Sequence, residues 1–215
     1  MRVAIAGGHG KIALRLAEFL AARGDEVVSL IRNPDHAADV RGPLICDLES
    51  ASVEEVAEAI RGAGAVVFAA GAGPGSGPER KEKMDYGGAV KLIEAAQAEG
   101  ISRYVMVSSM GADPNHEGDD TFSVYLRAKG KADAELQGSG LDYTIVRPGM
   151  LTDNPATGQV QVGDRRGEIP RDDVAALLAV VLHEPAAAGE AFGVISGDTP
   201  IEQAVASLAV ESRPR

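Results

Sequence analysis

The chain opens on an apolar strand that runs straight into a glycine turn and a helix, Val3-Ala4-Ile5-Ala6-Gly7-Gly8-His9-Gly10-Lys11-Ile12-Ala13. Glycines in such a turn let backbone approach a pyrophosphate closely, and the first helical turn aims its N–H groups at it. The spacing Gly7-x-x-Gly10-x-x-Ala13 differs from the commoner Gly-x-Gly-x-x-Gly, and an ordinary tight strand-to-helix turn also uses glycine. Context favours the phosphate cradle. The turn follows a strand-like run directly and precedes an amphipathic helix with Ile12, Leu16, Phe19 and Leu20 on one face, stopped by Gly24.

Strand-like runs over 2–6, 26–31, 44–46, 65–70, 104–108, 143–146 and 191–195 alternate with helical segments. Most are continuously apolar, as expected of strands covered on both faces. Ser52-x-x-Glu55 is a capping box, followed by the stripe Val53, Val56, Ala57 and Ile60, which ends at Gly62. Residues 79–99 read as a long helix closed by Gly100, and 123–137 as another closed by Gly138. Thr199-Pro200-x-Glu202 opens the last. The fold class expected is α/β: one doubly wound domain over residues 1–215, a parallel sheet flanked by helices, with substrate-side elements mainly in 150–215. Loops at 71–78, 111–121 and 152–170 follow strand carboxyl ends, where ligands bind in such sheets.

The 215 residues, 45% of them apolar, suffice for one well-buried domain. A net charge of -11 disfavours nucleic acid and anionic membrane as partners. Cys46 stands alone and the four histidines are scattered, so neither an internal disulfide nor a metal site is expected. No signal peptide is read, and the longest apolar run, 174–182, is too short to span a bilayer. The expectation is a cytoplasmic protein whose partner is a small-molecule substrate, with oligomeric state open.

At the end of the second strand, where an NAD enzyme usually offers the adenosine ribose a carboxylate, the chain reads Ser29-Leu30-Ile31-Arg32-Asn33-Pro34. Arg32 can grip a phosphate, which favours NADP and leaves NAD possible. Asp47, between Cys46 and Leu48, could accept from an adenine amino group or cap the following helix. Ser108 and Ser109 sit where the fifth strand meets the cleft, and Tyr125 and Lys129 lie on one helix face. An ammonium near a phenol stabilises the phenolate, which equips a tyrosine to exchange a proton with a substrate oxygen. Serine can hold that oxygen, and lysine can hold ribose hydroxyls. Met106 alternates into the core, whereas Met110 and Met150 follow strand ends and could line an apolar pocket.

With these residues the chain resembles the short-chain dehydrogenase/reductase superfamily, above all its small atypical NAD(P)H-binding members, also called NAD-dependent epimerase/dehydratase-like. The carriers are the glycine turn, Cys46-Asp47-Leu48, Asp85-Tyr86-Gly87-Gly88-Ala89, Val107-Ser108-Ser109, Tyr125 to Lys129, and Val146-Arg147-Pro148-Gly149. They cover residues 1–150 well and continue more loosely to about 205. The resemblance implies a Rossmann sheet and a nicotinamide cofactor held by Gly7, Gly8, His9, Gly10, Lys11 and Ile12. Arg32, Asp47, Leu48, Ala70, Gly71, Ser108, Lys129, Pro148 and Gly149 would follow along its length. It also implies a catalytic trio of Ser109, Tyr125 and Lys129. Asp85 stands where many relatives carry asparagine. Only about 65 residues follow Gly149, little for holding a nucleotide sugar. The expected activity is hydride transfer between NADP(H) and a small carbonyl/alcohol pair. The alternatives are a sugar epimerase or dehydratase that keeps its cofactor, and a non-catalytic NADP sensor.

Overall fold

A computed structural model describes residues 1–73 and 75–211. Its strands are β1 (Arg2–Ala6), β2 (Glu26–Ile31), β3 (Pro43–Ile45), β4 (Ala65–Phe68), β5 (Arg103–Val107), β6 (Asp142–Pro148), β7 (Met150–Thr152), β8 (Gln159–Val162), β9 (Glu168–Pro170), β10 (Glu190–Ser196) and β11 (Thr199–Pro200). Among the described residues nine strands form one sheet in the order β11-β8-β10-β6-β5-β4-β1-β2-β3. β1 to β6 and β10 pair in parallel, β8 runs antiparallel to β10 and β11, and β7 pairs with β9 apart from the sheet. From β1 the chain builds outward to β3, then returns to lay β4 on the other side. That reversal opens a crevice at the carboxyl ends of β1 and β4.

Helices cover both faces. On one lie α1 (Lys11–Ala22), α6 (Arg171–His183) and α7 (Ile201–Glu211); on the other lie α2 (Val53–Ile60), α4 (Ala89–Ala98) and α5 (Thr121–Gly138). The short α3 (Pro78–Arg80) precedes α4. Alternation along β1 explains its continuous apolar run: Val3 and Ile5 join the α1 side, Ala4 and Ala6 the α4 side. The capping box of α2 is formed, with Glu55 N 3.2 Å from Ser52 Oγ and Ser52 N 2.7 Å from Glu55 Oε2. In α1, Ile12, Leu16 and Leu20 are buried, but Phe19 faces solvent.

Several boundaries differ from the sequence reading, each for a local reason. β4 stops at Phe68, which frees 69–73 to line the crevice. α5 starts at Thr121 because the Asp120 carboxylate accepts from Phe122 N (2.9 Å) and Ser123 N (3.1 Å). It runs through Gly138, and the left-handed residue that follows is Gly140 (φ +76°). The span 79–99 is not one regular helix. Lys81–Gly88 is π-helical between α3 and α4, and it buries Met84 and Asp85. The loop expected at 152–170 contains β8 and β9. Thr199–Pro200 is a strand, so the last helix begins at Ile201.

Candidate active site

The glycine turn is shaped first by packing. Gly7 has φ +80°, and a Cβ there would lie 2.6 Å from Ala70 Cα; on Gly8 it would lie 2.5 Å from Ser29 Cβ. These two glycines let the ends of β2 and β4 close onto the turn. Gly10 then caps α1 without a side-chain hydrogen bond, and the amides of residues 11–13 meet no acceptor among the described residues. An uncapped helix start facing a cleft is an anion site, which fits a pyrophosphate.

The cleft measures about 250 Å³, and Gly7, His9, Gly10, Arg32, Asp47, Leu48, Ala70 and Gly71 line it. Leu30, Ile31, His36, Cys46, Arg80 and Met84, none of which the sequence reading assigned to the cofactor, line it too. Gly8 and Ile12 are buried behind the lining. Lys11 is also outside it, exposed, with Nζ 2.7 Å from Asp153 Oδ2. At one rim, Arg32 Nη1 lies 3.5 Å from Glu49 Oε1, and Arg80 reaches the same oxygen through Nε (3.0 Å) and Nη2 (2.7 Å). Two guanidiniums from distant segments thus converge on one carboxylate. Asp47 accepts from Glu49 N (3.1 Å) and Ser50 Oγ (3.2 Å), so it shapes the turn before α2 while lining the cleft. His9 stacks on His36 with ring centres 3.7 Å apart.

Lys129 is the buried centre of the other half. Its Nζ donates to the Val107 carbonyl (3.1 Å) and lies 3.3 Å from Asp85 Oδ1; the side chain is 5% exposed. Asp85 Oδ2 accepts from Ala72 N (3.2 Å), which ties the cleft loop to the lysine. Burial pushes the Lys129 pKa down, but Asp85, Tyr125 and Asp133 push it up more, and it ends above the ordinary lysine value. The ammonium lies 6.0 Å from the Tyr125 ring centre. It has three donors and spends two, which leaves one for a ligand. Tyr125 is half-buried, and its hydroxyl makes no hydrogen bond among the described residues.

The structure therefore groups Tyr125, Lys129 and Asp85. No hydrogen bond joins Ser109 to them: its hydroxyl donates to the Met110 carbonyl (3.3 Å). Ser108 is buried beside Asp133, whose carboxylate holds Arg147 at 2.8 Å. Pro148 is buried at the end of β6. Gly149 packs so tightly that a Cβ would lie 2.3 Å from the Gly167 carbonyl, so it seats the β7–β9 pair. Met106 is fully buried, Met110 is half-buried, and Met150 is 63% exposed. No helix among the described residues is long and apolar enough to cross a membrane.

Comparison with known proteins agrees with this geometry. The profile of the NAD(P)H-binding family matches residues 7–185. A Bacillus subtilis protein named uncharacterized sugar epimerase YhfK is 36% identical, over 97% of this chain and 100% of its own. A Bacillus halodurans structure bearing a provisional NAD-dependent epimerase/dehydratase name superposes with a TM-score of 0.88 at 38% identity, covering 96% of this chain and 99% of that one. The Escherichia coli O157:H7 anaerobillin reductase ChuY gives 0.77 at 29% identity, over 92% and 98%.

Proposed function

We propose that this chain, which belongs to the NAD(P)H-binding family, is an NADP(H)-dependent reductase acting on a small carbonyl compound. A bound nicotinamide supplies the hydride. The amides at the start of α1 hold the pyrophosphate, and Arg32 and Arg80 hold the 2′-phosphate in place of Glu49. The spare donor of Lys129 serves a ribose hydroxyl. Tyr125 gives its phenolic proton to the substrate oxygen, and Ser109 turns its hydroxyl from Met110 to steady that oxygen.

The observation that carries the reading is the buried ammonium behind Tyr125. Burying a charge costs several kcal/mol even when it is paired. Placed there, Lys129 supplies the field that a proton-donating phenol needs. The names of relatives also suggest a sugar epimerase. Against that, the described residues from 150 on form strands and helices packed on the main sheet plus the small β7–β9 pair, and among the described residues they build no second lobe beside the cleft. Cofactor that stays bound through purification would favour the epimerase. The deciding experiment assays NADPH oxidation with a panel of aldehydes, ketones and quinones. Tyr125→Phe should lower turnover about 10²–10⁴-fold, the range for a lost acid–base group, with cofactor affinity unchanged. Undiminished turnover in that variant overturns the mechanism.

A further inference from the structure

A second cavity, about 540 Å³, lies between the glycine loop after β4 and the first turn of α5. One wall is aromatic. The Phe122 and Tyr125 rings lie 6.0 Å apart at 29°, and Phe122 is 63% exposed. The facing wall includes Gly75 and Gly77, where an added Cβ would meet nothing within 4 Å. A wall of glycine backbone and one small side chain, Ser76, beside two rings makes a slot suited to a flat ligand, since stacking adds to burial only for a ring.

The slot also carries a charge. Lys81 is the one ionised side chain among its described lining residues, and its ammonium lies 5.2 Å over the Tyr125 ring. It donates to the Gly73 carbonyl (2.9 Å), and no carboxylate pairs with it among the described residues. Two of its donors are left. A lone cation without an acid beside it, in a chain of net charge -11, is a local anion site.

From this we infer that the slot between the 75–77 loop and α5 binds a planar conjugated anion, its rings on Phe122 and its oxyanion on Lys81. The inference rests on the reading above that Tyr125 faces the substrate, and it names the substrate class. The bland account makes Phe122 a chance surface residue and Lys81 a brace for the loop.

Calorimetry of the full chain, without nicotinamide, separates the two accounts. Anthraquinone-2-sulfonate is the planar anion, cyclohexanesulfonate the non-planar anion and 2-hydroxymethylanthraquinone the planar neutral. The planar anion should bind at least about tenfold more tightly than cyclohexanesulfonate. Phe122→Ala should weaken it roughly tenfold. Lys81→Met should weaken it roughly tenfold and leave the neutral quinone within about twofold. Both side chains are at the surface, so folding should survive, which a thermal melt verifies. Equal binding of the two sulfonates, or both variants within about twofold of wild type, overturns the proposal. An unchanged Lys81→Met overturns its anionic half. With no nicotinamide present, these results stand whether or not Tyr125 proves to be the proton donor.

Discussion

Two buried carboxylates on opposite faces of the sheet are treated differently. Asp173, in α6, is 1% exposed and saturated: it accepts from Thr157 N (3.0 Å), Thr157 Oγ1 (3.0 Å) and Gly158 N (2.8 Å). Asp133, in α5, is 2% exposed. One oxygen holds Arg147, while the other makes no hydrogen bond of normal geometry, although the Ser108 hydroxyl beside it helps keep the carboxylate charged. Four residues earlier on the same helix, Lys129 also keeps an unused donor. The first charge fastens a loop and has no capacity left. The second group borders the candidate active site, and its hydrogen bonds are incomplete. Burial alone therefore does not distinguish the two carboxylates; what differs is how much of their hydrogen-bonding capacity is spent.

The largest test of that contrast is Lys129→Met. It strands Asp85 without its cation, and breaking one side of a buried pair costs about 3–5 kcal/mol. Turnover should fall with it. Adding Asp85→Asn should restore much of the stability but none of the turnover, because the second change removes only the stranded charge. Urea melts and NADPH assays read the two separately. A Lys129→Met variant as stable as wild type would show that the α5 cluster is not electrostatically poised.

Asp173→Ala should come next. Losing hydrogen bonds to a charged group costs about 1.5–3 kcal/mol, seen as a lowered denaturation midpoint. NADPH affinity and turnover per folded molecule should not move. A change in either would place Asp173 in the site and erase the distinction.

The Arg32–Arg80 rim of the cleft tests the same idea with a ligand. Arg32 and Arg80 both reach Glu49, and they are the pair proposed above to take the 2′-phosphate. Arg80→Ala should weaken NADPH by roughly 10–100-fold, the scale of a charged hydrogen bond, and leave NADH unchanged. Fluorescence titration of both nucleotides checks it. Equal losses for the two would mean that Arg80 supports the loop and not the phosphate.

What the sequence showed follows from range. β1, the glycine turn, α1 and the capping box of α2 are readable because each is decided within about ten residues by periodicity and caps. The Tyr125–Lys129 pair is readable for the same reason. Arg80 is not, because its meaning lies in Glu49, 31 positions away. Asp85 could be seen but not understood: only the π-helical turn brings it to Lys129. α6 shows no amphipathic stripe because it touches α1, α7 and several strands, so nearly its whole surface is buried. β8 and β11 pair antiparallel at the sheet edge; the alternation of Gln159–Val162 is a strand signal, but it is only four residues long inside a Gly-, Pro- and Asp-rich stretch, so 152–170 reads as a loop.

The smallest expected effect is a pH dependence, and its sign separates Asp133 from an ordinary paired carboxylate. Burial raises its pKa, and Ser108, Arg147 and Lys129 offset only part of that. Between the unfolded value and the raised folded one, the native state holds more protons at this site than the unfolded state. Stability from this group therefore falls as pH rises through that window, the reverse of a carboxylate with a depressed pKa. Asn resembles the protonated acid and does not titrate. Asp133→Asn should thus gain stability relative to wild type as pH climbs from about 4 toward neutrality, at no more than about 1.4 kcal/mol per pH step inside the window. Urea midpoints of the two proteins across that range measure the gap. A gap that moves the other way would mean that Arg147 outweighs burial, and Asp133 would then be as settled as Asp173.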